Sequence, residues 1–382
     1  MRVLLFNPPL YEGTYYTEAE ECCFGATGRP VVPHNLLRIA SFLHEKKHRV
    51  QFIDYGIEGK PWDAVIREVP RWDFAVTSVI HGGFYHERYL AFYKPLTGLK
   101  NVVALSHPES ATNETQERLS LSNEKHDQFQ KFIPSFNEKI QIDYSLYPYH
   151  QIAGKVFVVQ ASTGCRYNCN FCVWAGKKFQ PRKPLAVVTQ LANVKAVMAP
   201  RDLVFLLSSQ ITGDKAWLKE FVELKEKLVP DLSFQGDIGI GEVDEETAVL
   251  LKRSGIENAT VGAEALSNGW LRKFRKAWTY ESIKSGCLNL QKAGVSYHII
   301  LRCGIGETPA DIAESIRNST ELHDLGVKPG YMRWGKIYPY PGTDIAHLDG
   351  KQVFPRELND YVKHLGTLGW LKPVEPKKAS PS

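Results

Sequence analysis

Three cysteines lie within eight residues in Gly164-Cys165-Arg166-Tyr167-Asn168-Cys169-Asn170-Phe171-Cys172, with the spacing C-x3-C-x2-C. Thiolates this close on one loop can converge on one metal centre, because each is a soft, anionic ligand. A structural zinc site wants a fourth ligand, and the chain has no second C-x2-C pair to supply it; its H-x3-H pair, His44 and His48, falls in the first predicted helical segment, far along the chain from the cysteines. His150 and Cys303 are the remaining candidates for that fourth position, but neither has a typical spacing. An iron–sulfur cluster held by Cys165, Cys169 and Cys172 fits better and leaves one iron open to a small molecule. The competing reading is three thiols filling space as small apolar side chains. The other cysteines carry less chemistry: Cys22-Cys23 reads as buried with a redox pair as the alternative, and Cys287 reads as helix core.

A cysteine loop needs a scaffold, and the chain supplies alternating strand and helix signals. In the first hundred residues, Arg2–Phe6, Val50–Asp54, Phe74–Val79 and Asn101–Leu105 read as strands. His34–His48, Trp62–Val69 and Gly83–Tyr93 read as helices between them. Strands separated by helices pair in parallel, which predicts a doubly wound sheet with ligands beyond its carboxyl ends. Those ends are near Asn7, Tyr55, His81-Gly82-Gly83 and Ser106-His107. The stretch 107–150 is polar and aperiodic, and reads as a connector with small irregular elements.

From Lys155 the alternation resumes. Strands are expected at Val156–Gln160, Asp202–Leu207, Leu232–Ile238, Asn258–Val261, Ser296–Leu301 and Tyr331–Ile337. The intervening helices are Leu185–Met198, Asp214–Leu228, Asp244–Ser254, Tyr280–Ala293 and Pro309–Leu325, with Asp244 as an N-cap and Gly255, Gly294 and Gly326 just past three of the ends. The fold class is therefore α/β, an N-terminal doubly wound parallel sheet followed by a partial (β/α)6 TIM-like barrel. The expected divisions are 1–107, a connector over 108–150, a barrel over 151–345 and an extension over 346–382 with a disordered tail from Lys372. Within the barrel strands, Ser233, Gln235 and Asp237 share one face, as do Thr260, Gly262 and Glu264, and Ser296, His298 and Arg302. Helices outside a barrel demand apolar outer faces, so these polar sets are expected in the lumen. The bland alternative is a few hydrogen-bonded polar residues at strand ends.

Composition sets the class. With 382 residues, 43% hydrophobic and 23% charged, the chain has the balance of a soluble globular protein with two or three domains. No apolar run approaches the roughly 18 residues needed to cross a bilayer. A net charge of +5, from 47 basic and 42 acidic residues spread along the chain, is weak support for a nucleic-acid partner. Seven cysteines, an odd number without a secretion signal, argue against a disulfide framework and for the cytoplasm.

The C-x3-C-x-Phe-C loop after the first strand of a six-unit barrel resembles the radical S-adenosylmethionine superfamily. That resemblance implies that Cys165, Cys169 and Cys172 hold a [4Fe–4S] cluster whose free iron chelates S-adenosylmethionine, with Phe171 against the adenine. One-electron reduction then gives methionine and a 5'-deoxyadenosyl radical. Ser208-Ser209-Gln210 stands where the family contacts the methionine amino group, although its usual glycines or paired aspartates are absent. Gly262-Ala263-Glu264 resembles the family's Gly-Ile-Glu, with Glu264 on the ribose. Gly306-Glu307-Thr308 resembles a Pro-Gly-Glu-Thr turn in which Ile305 replaces the proline, and Tyr340-Pro341-Gly342-Thr343 matches a Pro-Tyr-Pro-Gly-Thr segment. These last features are similar to the branch with an N-terminal cobalamin-binding domain, and the likeness covers roughly Met1–Asp344.

Cobalamin itself stays open. Asn7-Pro8-Pro9, the helix entry from Pro33 to Leu43 and Phe52-Ile53-Asp54 have that domain's outline. No Asp-x-His-x-x-Gly occurs and Leu105-Ser106 stand where a nucleotide tail would want glycines, so any binding is expected to be weak and base-off. The candidate site residues are the three cysteines for the metal, Phe171, Ser208, Ser209, Glu264 and Gly306 for the cofactor, Arg302 and Cys303 for catalysis, and His298, Arg333 and Lys336 for substrate. Arg302, Arg333 and Lys336 converge in this reading and suit a carboxylate or phosphate, with surface charge as the alternative. Cys303 could donate a thiyl or a proton, or merely fill space, and Trp174 could shield the cluster or merely pack. The implied reaction is methylation of an unactivated carbon on a small molecule if cobalamin binds. Otherwise it is a radical rearrangement, elimination or dehydrogenation, or the chain is a non-catalytic metal- or cluster-binding protein. The expected partner is a one-electron reductant such as flavodoxin or ferredoxin, with no membrane.

Overall fold

Val3, Leu4, Leu5 and Phe6 are all fully buried, as a strand covered on both faces requires. The computed structural model describes residues 1–8, 31–79, 93–106, 123–134, 140–149, 152–208, 211–337, 339, 343–348 and 351–371. The first sheet contains β1 (Arg2–Asn7), β2 (Arg49–Asp54), β3 (Phe74–Val79) and β4 (Val102–Ser106) in the order β2-β1-β3-β4, every pair parallel. Helix α1 (His34–Glu45) buries Leu36, Leu37, Ile39, Ala40 and Leu43, the residues its helical spacing selected, and α2 (Trp62–Glu68) follows β2. Because β1 lies between β2 and β3, the strand order reverses between β1 and β3, and this is the switch point where ligands bind on such sheets. The expected helix Gly83–Tyr93 falls, apart from Tyr93, outside the described residues, as do Cys22-Cys23, His107 and His150. Within the expected connector, α3 (Asn123–Gln130) is regular, and Tyr144–Leu146 forms one 3-10 turn capped by Asp143.

The second half begins with β5 (Val156–Gln160), buried at every position. Two short antiparallel strands follow, β6 (Ser162–Thr163) and β7 (Gln180–Pro181). Then come α4 (Pro184–Val197), β8 (Leu203–Leu207), α5 (Lys215–Leu228), β9 (Phe234–Ile238), α6 (Glu245–Ser254) and β10 (Ile256–Glu264). The short α7 (Asn268–Lys273) precedes α8 (Tyr280–Lys292), β11 (Tyr297–Cys303), α9 (Pro309–Asp324), β12 (Met332–Lys336) and α10 (Leu358–Thr367). The sheet order is β12-β11-β10-β9-β8-β5, which follows the chain without closing, so the barrel is partial. Asp244 caps α6 through the Thr247 N–H at 2.8 Å, and Gly255, Gly294 and Gly326 all have positive φ. On β9 and β10, Phe234, Ile238, Ala259, Val261 and Ala263 are fully buried, while Gln235, Asp237, Thr260 and Gly262 stay half-buried. That alternation is what helices on one face and a cavity on the other produce.

Contacts divide the chain into two compact units, Met1–Gln160 with Arg182–Leu206, and Ala161–Pro181 with Leu207–Ser382. Among the described residues, no helix is long and apolar enough to cross a membrane.

Candidate active site

The cysteine loop is held by its backbone before any metal is considered. The β6–β7 ladder joins its two ends, pairing Ser162 with Pro181 and Thr163 with Gln180. Gly164 follows at φ +66°, and a Cβ there would collide with the Lys178 carbonyl, so only glycine fits. The Cys165 N–H donates to the Lys177 carbonyl at 3.0 Å, and Gly176 N–H donates to the Tyr167 carbonyl at 3.1 Å. Side chains fasten the rest: Asn170 Nδ2 donates to the Lys273 carbonyl at 2.7 Å, and Arg166 donates to the Gly213 carbonyl. Tyr167 donates its hydroxyl proton to Glu242, whose other oxygen accepts from Thr212 Oγ1 at 2.9 Å. Tyr167, Thr212 and Glu242 were not singled out from sequence, because Tyr167 is only a spacer within the cysteine motif, the other two belong to no motif, and each acts across a long separation.

Cys169 is buried, and Cys165 and Cys172 are half-buried. Burial pushes the Cys169 thiol up and the Cys172 thiol up to about 11, so these groups stay protonated until a metal displaces the proton. Among the described residues, no three His, Cys, Asp or Glu side chains are arranged to hold a single metal ion. Three thiols on one loop supply the soft donor type that an iron–sulfur cluster takes. The Trp174 N–H donates to Cys172 Sγ at 3.4 Å, which fixes that sulfur against the loop backbone.

Beside this loop sits a buried ion pair. Glu264 ends β10 at φ +66°, where the register to β11 slips between Gly262 and Glu264. Its carboxylate is 3.3 Å from Lys276 Nζ, and the two side chains are only 9% and 7% exposed. The ammonium also lies 4.5 Å from the Trp278 ring centroid and 5.6 Å from that of Phe171. Phe171 packs edge-on against Phe274 at 5.3 Å. A Cβ on Gly262 would approach the Glu264 carboxylate to 2.9 Å, so glycine keeps the space beside that acid clear. Lys276 had no sequence signal: it follows a helix too short to show a period.

The remaining candidates are less uniform. Ser208 is buried and shares a 2.7 Å hydrogen bond with Ser162, while Ser209 lies outside the described residues, as do Gln210 and Tyr340-Pro341-Gly342. Gly306 has φ +84° and its carbonyl accepts from Lys273 Nζ at 2.8 Å. The neighbouring Glu307 folds back to accept the N–H groups of Gly304 and Ile305 at 2.8 and 3.0 Å, so it holds the turn. His298 is buried and stacks on Tyr331, with centroids 4.5 Å apart. Cys303 is buried, its thiol pushed up to about 12 by burial, and lies 3.6 Å from the Gly335 carbonyl. The expected convergence of Arg302, Arg333 and Lys336 is not found. Positions 333 and 336 are an odd number of residues apart on β12, and the strand pleat turns them to opposite faces. Arg333 bears electrostatically on Asp237, whereas Lys336 is exposed, with its ammonium 4.6 Å from the Phe354 ring centroid. Burial pushes the Asp237 carboxyl up to about 7, opposed by a hydrogen bond from Thr260 and assisted by the charge of Glu264.

Residues 159–318 match the Radical SAM superfamily. Biotin synthase of Persephonella marina is 26% identical over 207 residues, covering 52% of this chain and 58% of that protein. The anaerobic magnesium-protoporphyrin IX monomethyl ester cyclase of Rubrivivax gelatinosus is 22% identical over 242 residues, covering 61% of this chain and 41% of that enzyme. The chain thus spans about half the length of these curated relatives. In fold it is similar to the radical S-adenosylmethionine methyltransferase TsrM of Kitasatospora setae, solved with cobalamin and a [4Fe–4S] cluster bound. The TM-score there is 0.66 at 16% identity, over 90% of this chain and 77% of that one. The cobalamin-dependent S-adenosylmethionine radical enzyme OxsB gives a TM-score of 0.67 at 14% identity, over 94% of this chain and 61% of that one. The fold is that of the cobalamin-dependent radical SAM enzymes, and the superfamily's cofactors are a [4Fe–4S] cluster and S-adenosylmethionine.

Proposed function

We propose that this radical SAM enzyme methylates an unactivated carbon of a small molecule, with cobalamin carried by the N-terminal sheet. The observation that carries the reading is the extent of the fold likeness, which takes in 90% or more of the chain, N-terminal sheet included, in both TsrM and OxsB. The switch point between β1 and β3 supplies a crevice for the cofactor. On the β2 side the carboxyl edge is already covered: Asn7 Nδ2 donates to Asp54 at 2.7 Å, Tyr147 donates to Asp54 at 3.3 Å, and the Asp54 N–H donates to Tyr149 at 3.0 Å.

The bound cluster and S-adenosylmethionine supply the one-electron chemistry. The protein's part is to hold and orient. Cys165, Cys169 and Cys172 provide thiolates from a loop whose backbone is fixed at both ends. Glu264 offers its carboxylate to ribose hydroxyls across the space kept by Gly262, with Ser208 and Gly306 bordering the cofactor. Asp237, with its carboxyl raised to about 7, is placed to exchange a proton with substrate, and His298 and Arg333 orient it. Arg302 and Cys303 stand as the further catalytic candidates, Lys336, exposed over Phe354, is left without a role at the substrate, and the electron comes from a small redox protein of the flavodoxin or ferredoxin type. Anaerobic reconstitution with iron and sulfide, then gel filtration with hydroxocobalamin, tests the reading. Stoichiometric base-off cobalamin is expected. If no cobalamin is retained while S-adenosylmethionine is still cleaved to 5'-deoxyadenosine, methylation gives way to a cobalamin-free rearrangement, elimination or dehydrogenation.

A further inference from the structure

We infer that Arg302 and Arg333 together seat an oxyanion, a carboxylate or phosphate carried by the substrate, on the cavity face of β11 and β12. The inference rests on the enzyme reading above and names the chemical class to which its substrate belongs. Register fixes the placement. Arg333 pairs with Ile300 and Gly335 with Arg302, so the two arginines stand on neighbouring strands one pleat apart. Ile299, Leu301 and Cys303 of β11 and Met332 of β12 are buried, and Trp334 packs on Trp270 of α7 and Tyr361 of α10 at 6.2 and 5.4 Å. The alternate positions, Arg302 and Arg333 among them, therefore face away from the helices into the cavity, and both arginines are half-buried.

Two further observations make a seat of these charges. A Cβ on Gly335 would stand 3.1 Å from Arg302 Nη1, so the Arg302 head reaches across to β12 over a position kept free of side chain. That position is two residues from Arg333 on the same face, about 7 Å along the strand. Among the described residues, neither guanidinium has a hydrogen bond or an ion pair, and the cavity's Glu264 is already engaged by Lys276 at 3.3 Å. Like charges on one face repel, and a guanidinium partly withdrawn from water still has donors to satisfy. An oxyanion between the two answers both needs, because each guanidinium presents the fork of N–H groups that carboxylate and phosphate oxygens match. Glu264 aligns with Leu301, the residue before Arg302, so the seat lies level with the acid assigned to the ribose. An anionic group held there anchors one end of the substrate beside the cofactor's place.

The test is isothermal titration calorimetry of the anaerobically reconstituted full-length protein with inorganic phosphate and, separately, with succinate, at an ionic strength held constant with potassium chloride. Saturable binding is expected, phosphate being preferred where the natural group is a phosphate and succinate where it is a carboxylate. Arg302→Met and Arg333→Met should each weaken it about tenfold or more, as the loss of a charge-assisted pair does. Gly335→Ala should weaken it too, with both charges still present, because the new methyl displaces the Arg302 head. If a methionine variant does not fold, Gly335→Ala and Arg333→Lys, which keeps the charge and loses the fork, decide the matter by the same loss of affinity. S-adenosylmethionine retained on gel filtration should stay at the wild-type level in each variant. Saturable binding that survives the methionine substitutions, or none of either anion by the wild type, overturns the inference. Anion binding and S-adenosylmethionine retention lost together would assign the arginines to the cofactor's own carboxylate and overturn it as well. A wild-type protein that seats phosphate or succinate but takes up no iron removes the enzyme reading and leaves the anion seat standing.

Discussion

Glu264 occupies the left-handed region at φ +66°, where a side chain costs about 1–2 kcal/mol. A strain kept at a buried carboxylate is more readily explained by what the acid touches than by the fold. Glu264→Ala should therefore weaken S-adenosylmethionine binding at least tenfold, measured by equilibrium dialysis, while iron content stays at the wild-type level. Glu264→Gly should bind as poorly but resist urea better than the alanine variant by about 1 kcal/mol, because glycine relieves the backbone. Lost iron with normal binding would make Glu264 a scaffold residue. For the ligands, alanine at Cys165, Cys169 or Cys172 should abolish the brown colour and S-adenosylmethionine cleavage together. A wild-type protein that takes zinc and refuses iron would contradict this. The cysteines and Glu264 could be singled out as candidates because a thiol triad and a Gly-x-Glu strand end leave marks in sequence. Lys276, Glu242 and Tyr167 were not, since the contacts that give them meaning span 12 to 75 positions of chain.

At the level of elements, the periodic segments among the described residues could be read to within three residues at each end, the largest misses being β10 and α1. Strand alternation and helix caps are local physics, and Asp214, Asp244 and Thr308 cap their helices as such residues do. The six-residue α7 and the C-terminal α10 escaped, one too short for a period and the other beyond the repeating pattern. Packing between elements was not legible either. Gly286 on α8 lies against the 3-10 turn Ile240–Glu242, and a Cβ there would strike the Ile240 carbonyl. Gly286→Ala should cost about 1–3 kcal/mol in chemical denaturation, as overpacking does, and should also reduce iron retention because that turn carries Glu242. Asp237 on β9 gives a pH test. Its carboxyl is raised from 3.8 to about 7, so the folded chain keeps a proton that the unfolded chain releases. Stability is full below about pH 4 and falls as pH rises toward about 7. Asp237→Asn should flatten that fall in urea midpoints measured from pH 4.5 to 7.5; an unchanged slope would assign it to other groups.

On the scale of the whole molecule, the first barrel strand is built into the N-terminal half. Val31 bridges to Val156, the Val32 N–H donates to the Val156 carbonyl at 2.8 Å, and Tyr144 packs edge-on against Phe157 at 5.6 Å. Gln190 on α4 donates to the Tyr144 hydroxyl at 3.1 Å. A fragment beginning at residue 151 would expose Phe157 and leave those groups unpaired, so it should be recovered mainly as aggregate, while the full chain remains soluble on ultracentrifugation. The cysteine loop is different in kind. Its excursion from Ala161 to Pro181 leaves and returns through one two-residue ladder, so its ends are already together once the sheet has formed. The entropy of closing that loop is spent during folding and need not be supplied by the metal. A loop closed in advance could accept the proposed cluster late, without any refolding of the sheet around it.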